Sequence, residues 1–231
     1  MSITGIGRAE GNFEAFQEVI GLMAGFFITL EGIEGSGKSS QARALQQFLQ
    51  QSGYQTFLTR EPGDTEIGRI IRELLLNPDY TEMKPRTEIL LYAADRAQHV
   101  SELVRPALAD GKVVISDRYY DSNLAYQGYG RDLDLETVKK INFWAVEELH
   151  PDLTILLDLP VQQGLKRARN LALDNLGDRL EREEINFHQR VRQGYLKLAE
   201  TWPERIKVVD AALSRAEVER NLREIVKERL P

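Results

Sequence analysis

Apolar residues along the chain follow two rhythms. Five short runs rich in β-branched residues, FFITLE (26–31), QTFLT (55–59), KVVISD (112–117), LTILLD (153–158) and IKVVD (206–210), contain few polar positions. Such runs predict strands buried on both faces of a parallel sheet. Between them the spacing lengthens to three and four. Leu45, Phe48 and Leu49 mark one segment, and Leu74, Leu75, Ile89, Leu90, Val100 and Leu103 mark others. That is the face of an amphipathic helix. Strand and helix alternate throughout, which predicts an α/β fold with a five-stranded parallel sheet and helices on both faces. One stretch breaks the rhythm: RNLALDNLGDRLEREE (169–184) is polar and glycine-containing between two helical patterns, and is expected to form a mobile lid over about 167–184. Residues 1–22 precede the first strand. The apolar run Val19 to Leu30 is too short to span a bilayer and reads as approach plus strand. Residues 1–22 are therefore expected to be an extension outside the core, with 23–231 forming one domain.

Composition narrows the setting. The 231 residues are 42% hydrophobic and 29% charged, ordinary for a globular domain, with no run long enough for a membrane span. There is no cysteine, hence no disulfide framework, and the N-terminal segment lacks a basic region followed by an apolar one. A cytoplasmic location is expected. The net charge of −6 argues against an extended nucleic-acid surface, which relies on a basic face. Small phosphorylated ligands need only a local cluster of cations.

That cluster has an obvious centre. Gly32, Gly37, Lys38 and Ser39 fit G-x-x-x-x-G-K-[ST] between the first strand and the first helix, where the pattern cradles a nucleotide polyphosphate. The candidate ATP loop comprises Gly32, Ile33, Glu34, Gly35, Ser36, Gly37, Lys38, Ser39 and Ser40. Its glycines let backbone N–H groups point inward, and the following helix adds its positive end. Lys38 would reach the β- and γ-phosphates and Ser39 would ligate Mg²⁺. Asp117 ends a strand at the carboxyl edge of the sheet, where a carboxylate can hold the same metal or its waters. Asp158 also ends a strand, but lacks an adjacent arginine and reads as structural. Arg60 and Arg118 stand at the ends of the second and third strands. Two guanidinium forks beside a phosphate loop suit a second phosphate, the acceptor. Tyr92 and Arg96, at i and i+4 of a helix, could meet one planar ligand; equally, Tyr92 could pack in the core with Arg96 on the surface.

From Phe26 onward the motifs FFITLEGIEGSGKSSQ, TREPGDT, LLYAADRAQHV, SDRYYDSNLAYQG and DRLEREEINFHQRVRQGY resemble, in order, those of the thymidylate kinase family. The resemblance implies ATP-dependent phosphorylation of dTMP to dTDP, with Mg²⁺. It also implies that Arg60 and Arg118 hold the dTMP phosphate, Tyr92 stacks on thymine and Arg96 hydrogen-bonds the base. Asn123 would read the pyrimidine edge, Tyr126 would pack against the sugar, and Glu34 would face the 3′-hydroxyl. The family splits on whether its catalytic arginine lies in the phosphate loop or in the lid. Position 35 is glycine here, while the lid region has Arg167, Arg169 and Arg179, so the lid type is expected, with Arg179 aligned most securely. A homodimer is implied, through helices carrying Leu124 and INFWAVEEL. Three departures stand out: Tyr92 where phenylalanine is usual, Asp64 in place of the second glycine of REPGG, and a longer lid. Two rivals remain at this stage. One is a kinase for another nucleoside monophosphate or for a deoxynucleoside, with Glu34 as base; the other is a nucleotide-binding regulator without turnover.

Overall fold

The computed structural model describes residues 25–171 and 177–230. Five parallel strands form one sheet in the order β2-β3-β1-β4-β5: β1 is Phe26–Glu31, β2 Thr56–Arg60, β3 Val113–Asp117, β4 Leu153–Asp158 and β5 Ile206–Asp210. Every expected strand is present, with β2 and β3 starting one residue late. Around the sheet run α1 (Lys38–Gln51), α2 (Glu66–Leu76), α3 (Pro85–His99), α4 (Arg105–Ala109), α5 (Tyr120–Asn123), α6 (Leu135–Val146), α7 (Val161–Leu171), α8 (Ile185–Thr201) and α9 (Arg215–Arg229). Wider π-helical turns continue α3 through Val100–Val104 and α5 through Leu124–Gly130. Residues 1–22, expected to be an extension, lie outside the described residues, as does part of the expected lid.

Local chemistry sets the helix starts. Thr65 accepts a hydrogen bond from the Gly68 amide to cap α2, Pro85 opens α3, and Ser214 with Glu217 forms a reciprocal cap on α9. The core joins β1, β3 and β4 to Leu45 and Leu49 of α1, Ile89 of α3, and Val191 and Leu198 of α8. Leu74 and Leu90 are exposed while their neighbours Leu75 and Ile89 are buried, because a pair of adjacent apolar residues can present only one to the core.

Strand register places the chemistry. Asp117 pairs in register with Leu30 on one side and Arg60 on the other. Glu31, Arg60 and Asp117 therefore reach the same carboxyl edge, where the chain leaves β1 into the phosphate loop.

Candidate active site

The loop between β1 and α1 turns through left-handed conformations at Gly35 (φ 70°) and Gly37 (φ 93°). At Gly35 a second constraint applies: a Cβ there would collide with the Gly164 carbonyl of α7, which crosses directly over the loop. Lys38 is buried and donates from Nζ to the carbonyls of Gly32 (3.1 Å) and Ile33 (2.9 Å). Burial, reinforced by the Arg118 charge, depresses its ammonium to about 8. The lysine thus has a strong incentive to meet an anion. Ser39 Oγ donates to Asp117 Oδ2, so the two oxygen groups expected at a metal lie side by side. Among the described residues no group of three or more His, Cys, Asp or Glu side chains is arranged to hold a metal. A hydroxyl and one carboxylate instead suit Mg²⁺, which keeps waters and takes its remaining oxygens from substrate phosphates.

Arg118 is held in a left-handed backbone conformation (φ 77°), uncommon for a non-glycine residue. Its side chain explains how that is maintained. Nη1 donates to the Gly32 carbonyl (3.0 Å), Ser122 Oγ (3.3 Å) and Tyr195 OH (3.2 Å), and Nη2 to Glu34 Oε1 (3.1 Å) and Tyr126 OH (3.2 Å). Contacts this numerous over-determine a strained backbone, a pattern concentrated at functional sites. Glu34 Oε1 also accepts from Tyr126 OH at 2.5 Å. Burial opposes a charge on Glu34, yet His188, Arg118, Lys38 and Tyr126 hold its carboxyl well below the usual carboxylate range.

Two cavities meet at this pair. One, of about 410 Å³, is bounded by Lys38, Ser39, Arg60, Asp117, Ala168 and Asp178; the other, of about 80 Å³, by Tyr92, Asn123, Tyr126, Gln127 and Leu180. Glu34, Glu61, Arg72 and Arg118 belong to both walls. The structure therefore brings the phosphate loop, Arg60, Arg118, Tyr92, Asn123 and Tyr126 together at adjoining cavities. Asp64 does not disturb its turn: the left-handed residue is Gly63 (φ 110°), and Asp64 instead accepts from Thr59 Oγ1 and from the backbone and Nε of Arg60, steadying that arginine.

Other residues are placed differently from expectation. Arg96 is 1% exposed and does not line the smaller cavity; it donates to Glu61 Oε2 (2.7 Å), Asn142 Oδ1 (3.0 Å) and Asn123 Oδ1 (3.3 Å). It thus supports the cavity wall from behind. Arg179 departs most from expectation. It is 7% exposed and turned from the phosphate cavity, with Nη2 at 2.6 Å from Glu88 Oε2 and Nε donating to the Leu75 carbonyl (2.8 Å). Glu88 is itself buried against Arg131 and Gln127. In this arrangement Arg179 anchors the C-terminal part of the lid. Arg167 donates to the Ala211 carbonyl (3.1 Å), whereas Arg169 is exposed next to Ala168, the α7 residue that borders the phosphate cavity. Leu124 is 2% exposed and part of the core, so it cannot serve a dimer face. Asp158 takes both Nε and Nη2 of Arg192, a structural pair as expected.

Sequence reasoning passed over Glu31, Glu61, Arg72, His188 and Tyr195. Glu31 accepts from the Tyr119 amide, Ser122 Oγ and Tyr195 OH directly beneath Arg118. Its position at the end of β1 is the same signal that singled out Asp117. Tyr195 and His188 lie within the motif DRLEREEINFHQRVRQGY, but that motif does not show which of its side chains reach the site, and Arg72 lies outside every one of the family motifs.

A parallel sheet with a lysine-bearing phosphate loop after β1, a Ser39–Asp117 oxygen pair and a second arginine-lined cavity defines a P-loop nucleotide kinase. A family model described as thymidylate kinase matches residues 30–222, and the chain belongs to that family. It is 56% identical to a thymidylate kinase of Halothermothrix orenii over 205 residues, covering 89% of this chain and 98% of that protein. With a thymidylate kinase of Synechococcus sp. (strain JA-2-3B'a(2-13)) the identity is 51%, covering 89% and 96%. The crystal structure of thymidylate kinase from Ehrlichia chaffeensis aligns with a TM-score of 0.70 at 29% identity, over 88% of this chain and 99% of that one. Family membership makes the chain a phosphate-transferring enzyme with ATP and dTMP as its substrates.

Proposed function

We propose that the chain converts dTMP to dTDP by direct in-line transfer of the γ-phosphoryl group of ATP across the wall formed by Glu34 and Arg118. The observation that carries this reading is that wall itself, since the same two side chains close both cavities. On ATP binding, Lys38 exchanges the Gly32 and Ile33 carbonyls for β- and γ-phosphate oxygens, and the loop amides of 32–40 receive the rest. Arg60 and Arg118 grip the dTMP phosphate. The thymine ring lies on Tyr92 with Asn123 at its edge, Tyr126 lies against the sugar, and Glu34 accepts from the 3′-hydroxyl. Stacking of this kind contributes about 1–3 kcal/mol. Because the acceptor oxygen is already anionic, the reaction needs positioning and charge neutralisation rather than a base. A carboxylate as strongly acidic as Glu34 would also be a poor base for a hydroxyl acceptor.

Ser39 and Asp117 would hold Mg²⁺, which when bound neutralises phosphate charge. Of the lid arginines, Arg169 is the one we assign to the transferred phosphoryl group, because Arg167 and Arg179 are committed to protein partners. We also assign a homodimer face to α3 and α6, where Leu90, Phe143 and Trp144 are exposed around a groove of about 620 Å³. No described helix is long and apolar enough to cross a membrane, and the lack of cysteine suits the reducing cytoplasm. The function is tested by ADP release with dTMP, dUMP, UMP, CMP and thymidine as acceptors. The expected order puts dTMP first in kcat/KM and thymidine below about 1% of it; a preference for thymidine would overturn the reading.

A further inference from the structure

His188 lies in the first turn of α8 and is fully buried, yet neither ring nitrogen has a hydrogen-bond partner among the described residues. Its Nδ1 lies 3.5 Å from Glu34 Oε2, close enough to bias that carboxylate and beyond the length of a formed hydrogen bond. Glu34 Oε2 is also buried without a hydrogen-bond partner among the described residues, whereas Oε1 accepts from both Arg118 Nη2 and Tyr126 OH. Two unpartnered polar atoms, Nδ1 and Oε2, thus face one another behind the wall that the two cavities share at Glu34. Buried polar groups left unpaired are costly, and where they persist they commonly await a ligand or a rearrangement. The Phe187 ring flanks the imidazole edge-on at 5.4 Å, steadying it.

We propose that His188 is a positioning residue for the acceptor sugar: Nδ1–H closes on Glu34 Oε2 when dTMP binds and fixes the carboxylate that receives the 3′-hydroxyl. An ionised carboxylate offers about four acceptor sites. Arg118 and Tyr126 occupy two on Oε1 and His188 takes one on Oε2, which leaves one on Oε2 for the hydroxyl. The side chain therefore helps decide whether an acceptor with or without a 3′-hydroxyl is preferred. This inference rests on the reading that Glu34 meets the 3′-hydroxyl, and the test separates the two.

The experiment compares dTMP with its 3′-deoxy analogue in wild type, His188→Leu, His188→Asn, His188→Gln and Glu34→Gln, measuring kcat, both KM values and the melting temperature. Asparagine keeps an N–H near the Nδ1 position; glutamine moves it towards Nε2. His188→Leu and His188→Gln should each raise the KM for dTMP about tenfold or more, the worth of one hydrogen bond to a charged acceptor. The KM for ATP should stay unchanged and the 3′-deoxy analogue should be little affected. His188→Asn should restore dTMP to within about threefold of wild type, and in the Glu34→Gln background His188→Leu should add less than about twofold. Equal losses for both acceptors, a matching loss for ATP, no rescue by asparagine, or full additivity with Glu34→Gln would each overturn the proposal. If wild type itself does not distinguish the two acceptors, the Glu34 reading falls and this inference with it. If wild type distinguishes them and the His188 variants do so equally well, this inference alone falls. Should the leucine variant not fold, the asparagine and glutamine pair decides the matter.

Discussion

Replacing Arg179 with alanine separates two roles that the linear sequence cannot distinguish, a cation that attends the transferred phosphate and an anchor for the C-terminal part of the lid. The structure supports the anchor. Arg179 is buried, pairs with the buried Glu88 at 2.6 Å and caps the Leu75 carbonyl at 2.8 Å. Removing one member of a buried ion pair costs about 3–5 kcal/mol when the other is left alone. Glu88 is not left alone, because Arg131 Nε and Nη2 and Gln127 Nε2 still donate to it, which brings the loss to about 2–3 kcal/mol. In a domain of this size each kcal/mol shifts the melting temperature by about 2–4 °C, so Arg179→Ala should melt about 4–12 °C lower. Scanning calorimetry reads that shift, and turnover well below the transition should fall less than about tenfold. Arg169→Ala should behave in the opposite way, with an unchanged transition and a loss in kcat of about 10³ or more. An Arg179→Ala protein that melts like wild type while losing about a thousandfold in kcat would refute the reasoning, since Arg179 would then leave Glu88 to reach the phosphate.

Further outcomes follow from other parts of the site. Burial and Arg118 hold Lys38 at about 8, below the ordinary lysine value. Between about 8 and 10.5 the unfolded chain therefore holds more protons at this position, and the group adds stability to the ligand-free protein as pH rises through that window. ATP binding has the reverse dependence, because it needs the cation: calorimetry with a non-hydrolysable analogue should give constant affinity below pH 8, then weakening by up to about tenfold per unit above it. Constant affinity through about pH 9.5 would contradict the reading that a lysine depressed by burial and Arg118 carries the polyphosphate. Trp144, 85% exposed on α6, tests the dimer face. Trp144→Glu should shift sedimentation towards a monomer, and a wild-type protein that is already monomeric would remove that assignment.

The sheet was legible because its central strands β1, β3 and β4 are buried on both faces and read as largely apolar runs, while the edge strands β2 and β5, only partly buried, still carry β-branched residues. The phosphate loop was legible because the chemistry demands several residue types at fixed spacing. Single arginines were less so. Arg118 and Arg179 both follow an aspartate, yet one faces the cavity and the other is held by Glu88, a residue 91 positions away. Arg96 looks like a base-reading group beside Tyr92, but Glu61 and Asn142 draw it behind the wall. Leu124 reads as a plausible interface residue until the wide turn following α5 rotates it into the core. His188 lies inside the motif DRLEREEINFHQRVRQGY, yet nothing in that motif singles it out, since its place beside Glu34 comes from α8 delivering it there. These are long-range effects, and spacing along a chain does not encode them.

The most direct test of transfer across the shared wall uses ATP whose γ-phosphorus is made chiral with oxygen isotopes and sulfur, with dTMP as acceptor. A single in-line displacement inverts the configuration at phosphorus in the dTDP produced, and inversion is the predicted result. Retention would require two displacements through a phosphorylated side chain and would contradict direct transfer between the two cavities.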